Sequence, residues 1–456
     1  MKVIVGVSNF GKIKKAEIDI SNFTIFVGNN NSGKTYMMQL IYGVLAELSE
    51  FKPKMETLEI GHGIKYELKE EIGELEKQVN HFLKKNKDRI VQRIFHKPVS
   101  IQQLYVKLVM EDEIFCIRFS AEDNLVEEQQ RESATLVNEQ GLEVCIALEG
   151  MTSKKKISHH KIQFLRTPTP KVAWDFIYRR MINIIFSKGN NLRNDSIFIP
   201  ASRTGMLLLY KYFFAERSAN DIRNIADMSL ESEKNENELG LSSPVYDFLQ
   251  FLLRYTPSQL NFDRNKDIID FIQQNLLDGR LQQAGEDTVY IPQGTDIQIP
   301  LYLSSSMINE ITPLYKVLTS TSRCRTIFYD EIETCLHPLK QGEMARTLIR
   351  MNNNGYRLIV STHSDTMAAK INNLLLLSKV EESEQDKNGK LEKMKLTKDD
   401  ILKSDEFHVY QFINSEDGKS EVSELEFHTT PPTGYDFSLF MDSVNELYNE
   451  TGIVME

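Results

Sequence analysis

The run Thr24-Ile25-Phe26-Val27-Gly28-Asn29-Asn30-Asn31-Ser32-Gly33-Lys34-Thr35 constrains this chain more than any other stretch. An apolar strand-like segment enters G-x-x-x-x-G-K-T, and the helix-like Tyr36-Met37-Met38-Gln39-Leu40 leaves it. Strand before and helix after is the context a phosphate-binding loop requires. Gly28 and Gly33 let the backbone curl so that successive N–H groups face an anion. The following helix aims its positive end at the same point. Lys34 is placed for the β- and γ-phosphates of a nucleotide, and the Thr35 hydroxyl for Mg²⁺. The residues between them, Asn29, Asn30, Asn31 and Ser32, supply the cradle. A chance glycine turn would need every fixed position of the motif to coincide.

A phosphate loop does not say which kind of nucleotide hydrolase it serves. Arg325-Thr326-Ile327-Phe328-Tyr329-Asp330-Glu331-Ile332-Glu333 is an apolar run that ends in acids. Open α/β sheets bind ligands where strands deliver such groups at their carboxyl ends. Asp330 is the candidate Mg²⁺ ligand and Glu331 the candidate general base that polarises the attacking water. A second apolar strand, Tyr356-Arg357-Leu358-Ile359-Val360-Ser361-Thr362-His363-Ser364, places His363 to sense the γ-phosphate. Ser304-Ser305-Ser306 open a helix to about Leu318, where serines cap the end and form a second anion-ready patch.

The 456 residues leave room for two or three domains, or one with a large insertion. Lysine plus arginine is 54 and aspartate plus glutamate 65, a net charge of −11, which disfavours a surface coated for nucleic acid. No apolar run approaches the roughly 18 residues of a membrane span. Met1 is followed by a strand-like Val3-Ile4-Val5 rather than a signal segment. Cys116, Cys145, Cys324 and Cys335 have no metal spacing and read as reduced cytosolic thiols, Cys335 as core filler. The expected localisation is therefore cytoplasmic.

Alternation over Val3–Val7 and Ile13–Ile20 predicts a hairpin, and Lys34–Leu48 a helix. Tyr66–Phe95 reads as one long helix. Its seam of Leu68, Ile72, Leu75, Val79 and Phe82 is about two heptads, favouring a helix packed on its own domain over an intermolecular coil. Its basic end (Lys84, Lys85, Lys87, Arg89, Arg93, Lys97) reads as a solvated face, with nucleic-acid contact as the sharper alternative. Leu104–Glu149 reads as a β-meander. Lys154–Lys156 and His159–Lys161 read as a basic turn, in which adjacent His159 and His160 diverge too much to share a zinc ion.

A helix is expected after Pro168 and Pro170, then a buried strand at Ser196–Ile199 that breaks into a loop carrying Arg203. Glu231–Glu238 reads as a mobile acidic loop. Helices are expected near Val245–Tyr255 and Lys266–Leu277, with paired strands at Thr288–Tyr290 and Asp296–Leu303. Leu374–Leu377 reads as a strand, Glu381–Lys390 as a polar loop, His408–Ile413 with Val422–Glu426 as a hairpin, and Phe437–Tyr448 as a closing helix.

The phosphate loop, Ser304–Ser306, Asp330-Glu331, the run Glu333-Thr334-Cys335-Leu336-His337-Pro338 and His363 stand in the order of ABC-type ATPases. More narrowly the chain resembles the RecF/OLD-like branch, akin to SMC heads, which includes ATPase subunits of anti-phage systems such as PARIS and Septu. Asn9–Ala16 and Ile199–Gly205 carry the same likeness. The resemblance implies an α/β fold: a P-loop head with a mixed central sheet, an N-terminal β-hairpin region and helical and β insertions. It divides the chain into an N-terminal lobe (1–48), an arm and meander (49–170), a helical lobe (171–300) and a C-terminal lobe (301–456).

It further implies ATP and Mg²⁺ as cofactors, and a homodimer or higher homo-oligomer in which the signature serines of one subunit complete the site of the other. The signature Leu303-Ser304-Ser305-Ser306 lacks the double glycine of transport ATPases. Gln102 or Gln103 is the candidate for the glutamine of the Q-loop. OLD nucleases carry a Toprim domain after the ATPase, for which this sequence leaves no room. An effector nuclease is then expected from a separate chain, with a phage protein or nucleic acid as trigger. A DNA-repair or chromosome-associated ATPase acting directly on DNA is the alternative.

Overall fold

The computed structural model describes residues 1–110, 113–130, 133–150, 156–187, 196–226, 240–285, 287–322, 324–379, 384–404, 406–428 and 433–455. In chain order, β1 (Lys2–Phe10) and β2 (Ile13–Asp19) form the expected hairpin and β3 (Phe23–Gly28) enters the phosphate loop. α1 (Lys34–Ser49), β4 (Lys65–Leu68), α2 (Glu70–Phe95), β5 (Gln103–Val109), β6 (Glu113–Gln130), β7 (Ser133–Gly150), β8 (Lys156–Phe164) and α3 (Pro170–Ser187) follow. Next come β9 (Ser196–Ile199), α4 (Arg203–Ala226), α5 (Ser243–Leu253), α6 (Gln259–Arg264) and α7 (Lys266–Ile272), the last continued by a π turn over Gln273–Leu277. β10 (Gly279–Ala284), β11 (Asp287–Pro292) and β12 (Ile299–Pro300) precede α8 (Ser306–Thr319) and β13 (Thr326–Tyr329). The remainder is α9 (Pro338–Asn353), β14 (Arg357–Ser361), α10 (Asp365–Lys379), α11 (Glu384–Lys393), β15 (Phe407–Asn414), β16 (Ser420–Glu424), β17 (Phe427–His428), β18 (Gly434–Tyr435) and α12 (Ser438–Met455).

The fold is α/β around a nine-stranded mixed sheet in the order β5-β1-β2-β16-β15-β3-β14-β13-β9. β15, β3, β14, β13 and β9 run parallel, and the hairpins turn the other edge antiparallel. The parallel strands are apolar on both faces, as burial between two layers demands. Along them, alternate residues feed two cores. Phe26, Phe328, Ile359 and Phe412 face the layer of α1, α2 and α3. Ile25, Val27, Ile327, Tyr329, Leu358 and Val360 face the layer of α8, α9 and α10. A separate sheet, β4-β6-β7-β8, packs into the first core.

Several elements differ from the sequence reading. Leu374–Leu377 is not a strand: it lies inside α10, where Met367, Ala368, Ile371, Leu374 and Leu375 are buried at helical spacing. A short apolar run cannot tell strand from buried helix by itself. The polar stretch after it forms α11 from Glu384 onward, while 380–383 lie outside the described residues. Tyr66–Leu68 pairs with β6 as β4, so the long helix begins only at Glu70.

The meander is one long hairpin, β6 with β7, in which Ala134–Val137 and Leu142–Ala147 belong to the same strand. Tyr105–Val109 instead joins the main sheet as β5. His159 and His160 lie within β8, not in a turn, and 151–155 and 227–239 are outside the described residues. β10 was not anticipated, and of Asp296–Leu303 only Ile299–Pro300 pairs. The seam of α2 turns inward: Ile72, Leu75, Val79 and Leu83 are buried in the first core. Cys335 is exposed rather than core.

A candidate nucleotide site at the carboxyl edge of the sheet

β3, β14, β13 and β9 end on one edge, and everything the phosphate loop needs converges there. Gly28 sits at φ 132°, and a Cβ on it would lie 2.0 Å from the Phe412 carbonyl oxygen. Only glycine lets β15 close against the loop there. Asn31 and Gly33 also take left-handed backbone, φ 57° and 98°. Lys34, 4% exposed, folds back so that its Nζ donates to the carbonyls of Gly28 (3.1 Å) and Asn29 (2.7 Å). Ser32 Oγ donates to Asn29 O at 2.8 Å.

The loop is braced from outside. Asn414 Nδ2 donates to Asn30 O at 3.0 Å, the Asn414 N–H to Asn29 Oδ1 at 3.0 Å, and Lys12 Nζ to Asn31 O at 2.6 Å. Lys12 lay inside the quoted Asn9–Ala16 run without a role, and nothing in the sequence pattern pointed to Asn414 as part of the site. They reach it because β15 pairs with β3 and the β1–β2 turn lies alongside.

Opposite the loop, Asp330 is 2% exposed at the end of β13. Its carboxylate accepts from Thr35 Oγ1 (2.9 and 3.1 Å) and from Ser361 Oγ (2.6 Å). Burial pushes Asp330 above the ordinary carboxylate range, against those hydrogen bonds. A carboxylate so buried, grouped with a threonine hydroxyl, is a hard-oxygen donor set. These residues therefore fit Mg²⁺.

Glu331 follows in left-handed backbone, φ 47°, with its N–H donated to Ser361 Oγ at 2.8 Å. Its side chain is 41% exposed and stands 3.9 Å from His363 Nε2. His363 is set by its own N–H, which donates to Glu333 Oε1 at 2.6 Å. Burial, then the Lys34 charge, hold the imidazole below the usual histidine range, so it is neutral at pH 7. Ser361 and Glu333 lay inside the quoted runs without a role. Their positions follow from the parallel register of β13 on β14.

Among the described residues no hydrogen bond links the serines to this cluster. Ser305 holds the N-cap position of α8, but its side chain makes no capping bond, and Ser304 Oγ donates back to Pro300 O at 3.1 Å. The capping role read from the sequence is therefore not what these side chains do. Ser305 and Ser306 are exposed, beside exposed Tyr302 and Leu303. Gln102 accepts from Asn9 Nδ2 at 2.5 Å, and Gln103 begins the edge strand β5.

Burial lowers the Lys34 ammonium from its ordinary 10.5 to about 8, outweighing the attraction of Asp330, Glu331 and Glu333. With a pKa below the unfolded value, the folded, nucleotide-free protein binds fewer protons between about 8 and 10.5, so this group makes stability rise with pH across that window. A phosphate chain beside the amine reverses the shift. ATP binding near pH 9 is expected to take up protons, up to about one per site, and far fewer at pH 7. Calorimetry in buffers of different ionisation enthalpy measures the uptake, and equal uptake at both pH values would remove Lys34 from contact with the phosphates.

Residues 1–368 match the AAA ATPase domain family. The chain is a member of that family. No curated protein matches it. Among solved structures, the SMC head bound to the C-winged helix domain of ScpA is 13% identical, covering 93% of this chain and 97% of its own, at a TM-score of 0.37. The SMC head domain from Thermotoga maritima is 10% identical, covering 93% and 100%, at 0.35. The Pyrococcus furiosus Smc head with an extended coiled coil, bound to the C-terminal domain of ScpA, is 13% identical, covering 99% and 100%, at 0.35. In this AAA ATPase domain protein the sheet outruns the family match: β15 and β16, beyond residue 368, complete it and brace the loop. Among the described residues no helix is long and apolar enough to cross a membrane.

Proposed function

We propose that the protein is an ABC-type ATPase that binds Mg·ATP, dimerises on it and hydrolyses it. The observation that carries this reading is the Lys34, Thr35, Asp330, Ser361 constellation on one sheet edge, with Glu331 and His363 beside it. Gly28–Thr35 holds the phosphates, and Thr35 with Asp330 holds Mg²⁺, which supplies charge neutralisation. Glu331 takes a proton from water as its oxygen bonds to the γ-phosphorus. The bond to the bridging oxygen breaks, and ADP leaves with that electron pair. His363 donates a hydrogen bond to the γ-phosphate. Ser304–Ser306, of which Ser305 and Ser306 are exposed, meet the γ-phosphate of a second copy.

At the level of the cell, the protein is the cytoplasmic sensor and scaffold subunit of an anti-phage defence complex. It restrains a separate effector, a nuclease, until a phage protein or nucleic acid favours one of its two states. A trigger shifts such a balance only by binding one state better. The net charge of −11 supports protein partners over DNA. One observation favours the alternative of a repair or chromosome ATPase acting on DNA: Lys84, Lys85, Arg89 and Arg93 are exposed on α2, and Lys97 is exposed just beyond its end. Expression with the neighbouring genes is expected to yield a stable complex that contains an effector. Isolation alone in every context, with tight, salt-dependent and ATP-dependent DNA binding by the lone dimer, would overturn the defence reading in favour of repair.

A further inference from the structure

Arg203 opens α4 directly after β9, and its side chain is wholly buried. One Nη donates to Pro200 O (3.1 Å) and Asp330 O (2.9 Å), and the other donates to Glu331 O (3.0 Å). Nε stands 2.5 Å from Glu310 Oε2, an ion pair without an aligned hydrogen bond. The guanidinium lies 4.7 Å from the centroid of the Tyr329 ring. Glu310, 3% exposed, is one turn beyond Ser306 on α8. Its Oε1 accepts from Thr204 Oγ1 at 2.6 Å, and its carbonyl accepts from Tyr329 OH at 3.4 Å.

A buried ion pair is a poor way to gain stability, because desolvation offsets most of the attraction. This one connects two functional places. Glu331 is in left-handed backbone, which a non-glycine residue leaves unless it is held. Ser361 holds its N–H and Arg203 holds its carbonyl. The same guanidinium grips, through Glu310, the helix whose first turn carries Ser306.

We propose that Arg203 and Glu310 form a buried relay that sets the Glu331 peptide and the serine-bearing end of α8 together, so that the nucleotide state of a subunit's own site is felt at the serines it offers to its partner. Arg203 is a positioning residue: it touches the main chain of the acidic pair, not the nucleotide. The inference rests on the ATPase reading above.

Arg203→Lys keeps the charge but loses the planar fork, and Glu310→Gln keeps the shape but loses the charge. Each variant is measured for cooperative melting, ATP affinity at equilibrium, kcat and KM, and amide exchange of residues 306–319 with and without a non-hydrolysable ATP analogue. The expected result is ATP affinity within about threefold of wild type, kcat lowered at least about tenfold, and loss of the analogue-induced change in exchange over 306–319. The double variant should be no worse than the worse single one, because the two residues act as a unit.

Unchanged kcat in a folded Arg203→Lys protein, or losses that simply multiply in the double variant, would overturn the relay. If Arg203→Lys does not melt cooperatively, Glu310→Gln carries the same readings alone. A wild type that binds ATP without turning it over defeats the hydrolytic reading instead. The exchange arm then still decides the relay: an analogue-induced change in 306–319 that survives Arg203→Lys or Glu310→Gln refutes it.

Discussion

Glu331→Gln is expected to bind ATP as tightly as the wild-type protein, within a few-fold, and to lose turnover by about 10²–10⁴, the usual contribution of a general base. That corresponds to roughly 3–5 kcal/mol of transition-state stabilisation. The separation arises because the parts that bind charge are left alone. Lys34 is hydrogen-bonded to the loop carbonyls of Gly28 and Asn29, and Thr35 to Asp330, while the Glu331 carboxylate stands outside both contacts, partly exposed toward His363. Glutamine fits the same space, and the left-handed backbone at this position is held from the main chain rather than by the side chain. The variant should therefore accumulate as an ATP-bound dimer, read by light scattering with and without ATP and by single-turnover kinetics. Equal turnover in the variant and wild type would take Glu331 out of the reaction.

The second large effect is expected from mixing two dead proteins. Lys34→Ala removes the buried ammonium that the phosphates need, and affinity for ATP should fall by at least about 10²-fold, the worth of charge-assisted bonds of roughly 1.5–3 kcal/mol each. Ser306→Arg alters an exposed position at the start of α8, so it should fold and bind ATP yet block the partner's site. In a mixed dimer one site pairs the two damaged halves and the other pairs two intact ones. With random exchange in equal amounts, about a quarter of wild-type turnover should return if the sites work independently. The composite-site proposal is falsified if mass spectrometry finds the mixed dimers while turnover stays at the level of the single variants.

What the sequence made legible follows physical range. The phosphate loop, α1 and the acidic end of β13 were readable because each is a local device, in which a few adjacent residues carry the chemistry and flanking hydrophobicity places them. Ser361 and Glu333 were named in passing, but their partners depend on how two strands align, which no local pattern encodes. The role of Lys12, named only within a longer run, and the whole of Asn414 were hidden for the same reason at longer range. The misread Leu374–Leu377 shows the converse. There the local signal was ambiguous, and only the burial of Met367 and Ile371 on the same face identifies a helix. Arg203 was noticed as one arginine after a strand, while its partner Glu310, deep in an apolar helix, gave no sign of charge pairing.

The placement of β15 beside β3 has a consequence for how the protein is made. Phe23 pairs with Phe407 and Gly28 with Phe412, so the central pair of the sheet joins segments that are made far apart in translation. A ribosome adding about 5–20 residues per second leaves the loop-bearing strand waiting tens of seconds for its neighbour. Through that interval the edge of β3 that β15 will cover has no partner, and Asn29 and Asn30 lack the brace from Asn414. Contacts this distant along the chain close slowly, because the intervening loop entropy is lost before the pairing is gained. The nascent chain thus carries the nucleotide motif well before Asn414, which braces it, has emerged. A copy terminated before residue 407 would carry the motif without the strand that closes against its first glycine.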